Sequence, residues 1–100
     1  MTGKQKAYLK KLAHNLSVIV KIGDNGISEN LVKSLNEALT AREIVKASMS
    51  HPSAEIRKET AMTLAEKTAS TLVNIIGKTM LFYRENPDNP VVSNDFKKIK

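Results

Sequence analysis

Apolar positions along this chain follow two alternating rhythms. Leu9, Leu12, Ala13 and Leu16 fall at i, i+3, i+4 and i+7, which predicts a helix over residues 4–14 with one apolar stripe. At about 100° per residue, Lys4 and Lys11 point away from that stripe and Lys10 lies on its flank. Val18–Ile22 is a short β-branched run and predicts a strand. The run stops at Gly23-Asp24-Asn25-Gly26. Helical spacing then resumes through Ile27, Leu31, Leu35, Ala38 and Leu39 to about Arg42, with Ser28 placed to cap the helix and Glu29 suited to its positive end.

The same alternation continues downstream. Ile44–Met49, "IVKASM", predicts a second strand, and Pro52-Ser53 marks the next helix start. Ala54, Ala61, Leu64, Ala65 and Thr68 make a stripe of mostly small residues, which lets a helix lie close on a sheet. Leu72–Ile76 and Thr79–Arg84 predict two further strands separated only by Gly77-Lys78, and glycine first in a two-residue loop fits a type II′ hairpin. The expected order is βαβαββ after a leading helix. Helical connections allow the first strands to run parallel, whereas the last pair must be antiparallel. An α/β fold follows, with two layers and a four-stranded mixed sheet. Residues 1–84 form its one domain. Residues 85–100, "ENPDNPVVSNDFKKIK", have two prolines, several turn formers and no period, and are expected to be a flexible tail.

One hundred residues suit a single small core. Without cysteine there is neither a disulfide framework nor a thiolate metal site, so a cytoplasmic location is expected. The basic N-terminus is too polar for a secretory signal and no apolar run matches a membrane span, so no membrane partner is expected.

Charge changes the picture more. The net charge is +6, and residues 1–22 carry Lys4, Lys6, Lys10, Lys11 and Lys21 with no acid. Residues 23–76 net −1, Lys78 and Arg84 add +2 near the predicted hairpin, and the last sixteen residues are neutral. An excess concentrated in this way favours a polyanion-facing surface over simple solubilisation.

Most candidate motifs fail on their chemistry. Gly77-Lys78-Thr79 resembles the end of a phosphate-binding P-loop, but Leu72 stands where that motif needs glycine, and strand residues follow where it needs a helix. Asn15-Leu16-Ser17 matches a glycosylation acceptor by chance. His14 and His51 are far apart and without clustered ligands, so no metal and no cofactor is expected. No serine, histidine and carboxylate can be singled out as a catalytic set, and a non-enzymatic protein is expected.

The GxxG loop is different. By itself Gly23-Asp24-Asn25-Gly26 reads as an ordinary turn. Between a strand and a capped helix it has a second use. Glycines remove the Cβ atoms that hold a backbone away from phosphate, and the following helix aims free N–H groups at the same place. Asp24 opposes this, because a carboxylate repels phosphate.

Four stretches then occur together: "LAH" ending the first helix, "IGDNGI", "ALTAREIVK" and "VNIIGKTMLFYR". Over about residues 3–84 the chain resembles the CRM-domain (CRS1–YhbY) family of RNA-binding proteins. The resemblance implies a fold similar to the C-terminal domain of bacterial translation initiation factor 3, and RNA bound through the GxxG loop and nearby basic surface. Single-domain bacterial members are associated with precursors of the large ribosomal subunit, and plant relatives with organellar intron splicing. Carried onto this chain, the contacts are Gly23, Asp24, Asn25 and Gly26, with Lys4, Lys10, Lys11, Lys21, Lys78 and Arg84 as basic surface. Asp24 departs from the basic or neutral residue more usual there. The expectation is a monomeric protein whose partner is RNA, in particular large-subunit ribosomal RNA or a pre-ribosomal particle. The alternative is an adaptor that docks on ribosomal proteins or an assembly GTPase without touching RNA. Phe82 and Tyr83 are adjacent in a strand and so face opposite sides; burial is expected over exposure for base stacking.

Overall fold

A computed structural model describes residues 1–99; Lys100, the end of the expected tail, lies outside the described residues. Helix α1 spans Gly3–Ala13 and opens on a capping box, in which Thr2 Oγ1 accepts the Gln5 N–H at 3.1 Å and Gln5 Oε1 accepts the Thr2 N–H at 2.8 Å. Strand β1 is Val20–Ile22, two residues shorter than its β-branched run. Helix α2, Glu29–Arg42, is capped by Ser28, whose hydroxyl accepts the Leu31 N–H. Then come β2 (Ile44–Met49), α3 (Ala54–Lys67, capped by Ser53), β3 (Thr71–Ile76), β4 (Thr79–Tyr83) and a single turn of helix, α4 (Ser93–Phe96). In the β3–β4 turn Gly77 takes φ +57° while Lys78 keeps a negative φ, as a type II′ hairpin requires.

The sheet order is β1-β2-β4-β3. β1 runs parallel to β2, with Val20 opposite Ala47 and Ile22 opposite Met49, and β4 is antiparallel to both β2 and β3. This is the expected four-stranded mixed sheet. Strand alternation sends Val20, Ile22, Val45, Ala47, Met49, Met80 and Phe82 to one side, where they pack with Leu35 and Leu39 of α2 and Ala61, Leu64 and Ala65 of α3. Ile44, Leu81 and Tyr83 point to the other side and meet Leu9 of α1 and Phe96 of α4. Phe82 and Tyr83 are therefore both buried, on opposite faces. Two layers were expected; α1 and α4 add a third, which covers only part of its face.

β3 carries a bulge between Leu72 and Asn74. Leu72 pairs with Phe82 but Asn74 pairs with Leu81, so Val73 is the additional residue and Val73 and Asn74 share the α1 face. Beyond the bulge the parity is inverted. Ile75 packs into the α2/α3 core, and Ile76 turns to the α1 face with 70% of its surface exposed.

The expected flexible tail folds back along the domain. Glu43, which closes α2 with φ +63°, is fully buried. Its carboxylate accepts the N–H groups of Asn86 at 2.7 Å, Val91 at 2.5 Å, Val92 at 2.7 Å and Ser93 at 3.0 Å. The Phe96 ring lies 4.8 Å from that of Tyr83, Gln5 Nε2 donates to the Ile99 carbonyl at 3.1 Å, and Lys97 pairs with Glu85. These anchors are isolated residues rather than a periodic stripe, which is why hydrophobic patterning does not reveal them.

Candidate nucleic-acid interface

Parallel pairing brings the ends of β1 and β2 to the same end of the sheet, with Ile22 opposite Met49. The β3–β4 turn is there too, since the Met49 N–H donates to the Lys78 carbonyl at 2.9 Å. The Gly23–Gly26 loop, leaving Ile22, therefore shares this end with Lys78. Asp24, Asn25 and Lys78 are exposed. The loop is closed by one long hydrogen bond, from the Gly26 N–H to the Gly23 carbonyl at 3.4 Å. Gly26 has φ +88°, a left-handed conformation natural to glycine. Gly23 has a negative φ, and a Cβ built on it meets no atom within 4 Å. The turn explains Gly26; it does not explain Gly23.

Beside the loop, a shallow groove runs between the free edge of β1 and the first turn of α2, lined by Lys21, Gly23, Asn25, Gly26, Asn30 and Ser34. Val20 and Ile22 point into the α2/α3 core, so Lys21 projects from the α1 face. Lys46 of β2 lies on the same face, half-buried, and its Nζ donates to the carbonyls of Ala13 at 3.3 Å and Leu16 at 3.5 Å. A cation at this position suits the negative end of α1. Lys10 and His14 stand across a crevice from Lys46, and among the described residues no carboxylate lines that crevice. A basic surface thus runs from the end of α1 over the open part of the sheet to the loop and the hairpin turn.

The other basic residues expected to share the site are dispersed. Lys4 sits near the opposite end of α1, about 9 Å from Lys10 along the axis, and Lys11 is exposed on the side turned from the sheet. Arg84 is a correction. Its guanidinium donates to Asn36 Oδ1 and the Thr68 carbonyl, both at 2.7 Å, to Thr40 Oγ1 at 2.8 Å and to the Asn36 carbonyl at 3.0 Å. With both terminal nitrogens engaged, Arg84 ties α2 to the end of α3. Arg57 has a similar task, donating to the carbonyls of Gly77 and His51. The His51 ring accepts the Ser53 N–H at 3.0 Å at the entry to α3.

Lys46, Asn74 and Ile76 were not singled out from the sequence. Lys46 had a signal, since it interrupts an apolar strand at the parity opposite to Val45 and Ala47. Asn74 and Ile76 had none, because the bulge that turns them onto this face leaves no mark in "TLVNII".

The two strongly displaced titratable groups among the described residues lie elsewhere, in the tail's seat. Burial pushes the Glu43 carboxyl up, but hydrogen bonds from the Asn86, Ser93 and Val91 N–H groups and the Ser93 side chain outweigh it and hold the pKa at about 2. Burial, followed by the charges of Glu43 and Glu85, raises Tyr83 to about 12. Displaced pKa values often mark reactive sites; here both belong to a structural clamp.

Comparison with known proteins places the chain in a family. The family model of the CRS1 / YhbY (CRM) domain matches residues 1–84. The Bacillus subtilis (strain 168) protein named "Probable RNA-binding protein YqeI" is 38% identical over 89% of this chain and 93% of its own. The Pseudomonas aeruginosa protein named "Probable RNA-binding protein PA4753" is 31% identical over 87% of this chain and 84% of its own. Among solved structures, the solution structure of the hypothetical protein SAV1595 from Staphylococcus aureus, described as a candidate RNA binding protein, superposes with a TM-score of 0.78 at 44% identity, covering 89% of this chain and 93% of that one. With a match spanning residues 1–84 and relatives similar over most of its length, this chain belongs to the CRS1 / YhbY (CRM) domain family.

Proposed function

We propose that this protein binds RNA without catalysing a reaction on it, and that its target is ribosomal RNA of the assembling large subunit, met as a monomer in the cytoplasm. The observation that supports this best is the basic surface that runs from Lys10 and Lys46 over the α1 face to Lys21, Lys78 and the Gly23–Gly26 loop at one end of the sheet. Relatives carrying RNA-binding names give the polyanion its identity. In this reading the lysines supply attraction and salt dependence, and the glycine loop supplies backbone contact at short range. Asp24 reduces what the loop adds to affinity, which leaves the loop to position the RNA.

The test is the paired substitution Lys10→Glu with Lys11→Glu, measured against a structured fragment of large-subunit ribosomal RNA across a salt series. Binding is expected to weaken, and the slope of log affinity against log salt to flatten by about 1–2. Unchanged affinity in the folded variant overturns the proposal. Ribosome association that resists RNase and high salt would favour the adaptor reading instead.

A further inference from the structure

The α1 face of the sheet is covered only in part. α1 and α4 close over Ile44, Val73 and Tyr83, while the end nearer the hairpin turn stays open. In the angle between the end of α1 and the open strands lies a crevice of about 170 Å³, with Leu81, Ile76 and Ala13 as apolar surface and Asn74 and Thr79 beside them. Its volume is well below the roughly 300–1,000 Å³ of pockets for drug-sized ligands, and suits one flat ring system. Lys10, His14 and Lys46 stand at its rim.

We propose that this crevice takes one unpaired nucleobase of the bound RNA, with the base against Ile76 and Leu81, its edge at the Asn74 amide, and the flanking phosphates at Lys10 and Lys46. The inference rests on the RNA-binding reading above and deepens it. Three observations carry it. First, the bulge at Val73 sets the lining of the crevice: strict alternation along β3 from Leu72 would point Asn74 and Ile76 into the α2/α3 core, and the bulge turns both to the α1 face. Bulges recur where a strand must re-aim a side chain toward a functional surface. Second, Ile76 is 70% exposed although its neighbour Ile75 packs in the core, and the Asn74 amide has no hydrogen-bond partner among the described residues. An amide offers a donor and an acceptor to a base edge, and apolar side chains provide the stacking surface for a base taken out of its helix. Third, the charge is complementary. Among the described residues the rim has two lysines and a histidine and no carboxylate, and Lys46 uses two of its three N–H donors, on long bonds to Ala13 and Leu16. A paired base cannot enter such a site, so the crevice selects single-stranded or bulged RNA.

The experiment compares the full chain with its Ile76→Ser and Asn74→Ala variants, both at positions with exposed or unpartnered side chains, and thermal melting confirms that each folds. The probes are labelled oligoadenylate and oligouridylate of about eight nucleotides and a blunt-ended RNA duplex. Each variant is expected to lose about tenfold in affinity for the single strands, to stay within about twofold on the duplex, and to keep the salt slope, because no phosphate contact is removed. Variants that bind single strands as the parent does overturn the crevice proposal while RNA binding stands. A parent chain that binds none of the three RNAs overturns both.

Discussion

The Glu43 carboxylate accepts the Val92 backbone N–H at 2.7 Å, across 49 residues of sequence. Asn86, Val91 and Ser93 donate to the same carboxylate. A buried charge surrounded by backbone donors is stabilising only while it is ionised. Glu43 has a folded pKa of about 2 against an ordinary 4.5, so its contribution is fully present above about pH 4.5 and is lost as pH falls through about 2. That displacement corresponds to about 3 kcal/mol. Glu43→Gln keeps the shape and removes the charge. Urea unfolding is expected to show a loss of that size at neutral pH, and a gap to the parent that narrows toward about pH 3. Equal stability of the two proteins at pH 7 would show that the tail is not held by this charge.

Arg84 separates two readings of one residue. The sequence reading makes it an RNA contact; the structure has its guanidinium donating to Asn36, Thr40 and Thr68. Arg84→Ala removes a charged donor and takes from the Thr68 carbonyl at the end of α3 and from the Asn36 side chain the partner that Arg84 gives them, at a cost of about 2–3 kcal/mol. Arg84→Lys restores the charge but not the fork, and is expected to recover less than half. At a temperature where all three are folded, affinity for the ribosomal RNA fragment is expected to be the same. A variant that melts normally but binds weakly would return Arg84 to the interface.

How much of this was legible from the sequence depended on whether the cause repeats. Burial repeats, so Leu9, Leu35, Leu39 and Leu64 reveal their helices and Val45 and Ala47 their strand. Arg84 does not repeat. Its partners come from two other elements, up to 48 residues away, and a lone arginine after "LFY" reads as surface charge. The tail is held by one carboxylate, one ring contact and the amides of Gln5 and Asn86, none of which produces a period. The end of the sheet that gathers the loop, Lys21 and Lys78 could be anticipated from strand order; the crevice could not, since a single bulged residue inverts the parity of β3.

Tyr83 tests whether the aromatic seat of the tail is apolar in character. Its ring packs on Phe96, but its buried hydroxyl has no hydrogen-bond partner among the described residues. A buried polar group of this kind costs about 1–3 kcal/mol unless water reaches it. Tyr83→Phe is therefore expected to match or exceed the parent's stability, by up to about 1 kcal/mol. Since the folded pKa of about 12 lies above the ordinary value of 10.0, the stabilising preference for the neutral phenol is present below pH 10 and lost as pH rises toward 12. The phenylalanine variant lacks that loss. Destabilisation of Tyr83→Phe by more than about 1 kcal/mol would mean that the hydroxyl is bonded in solution.

The two glycines of the loop can be told apart by one methyl group. Gly26 has φ +88°, so Gly26→Ala forces a left-handed alanine at a cost of about 1–2 kcal/mol. Gly23 has a negative φ and open space around a Cβ. Gly23→Ala is therefore expected to leave the melting temperature unchanged or slightly raised, because the unfolded chain loses freedom that the folded chain never used. If position 23 is glycine so that a phosphate can approach the backbone, the added methyl stands between them, and affinity for the ribosomal RNA fragment is expected to fall at least several-fold without a change in stability. Asn25→Asp acts on the same contact through charge, doubling the loop's carboxylates, and its effect is expected to shrink at high salt whereas that of Gly23→Ala persists. Full affinity in Gly23→Ala would make the loop an ordinary turn and leave RNA contact to the lysines alone.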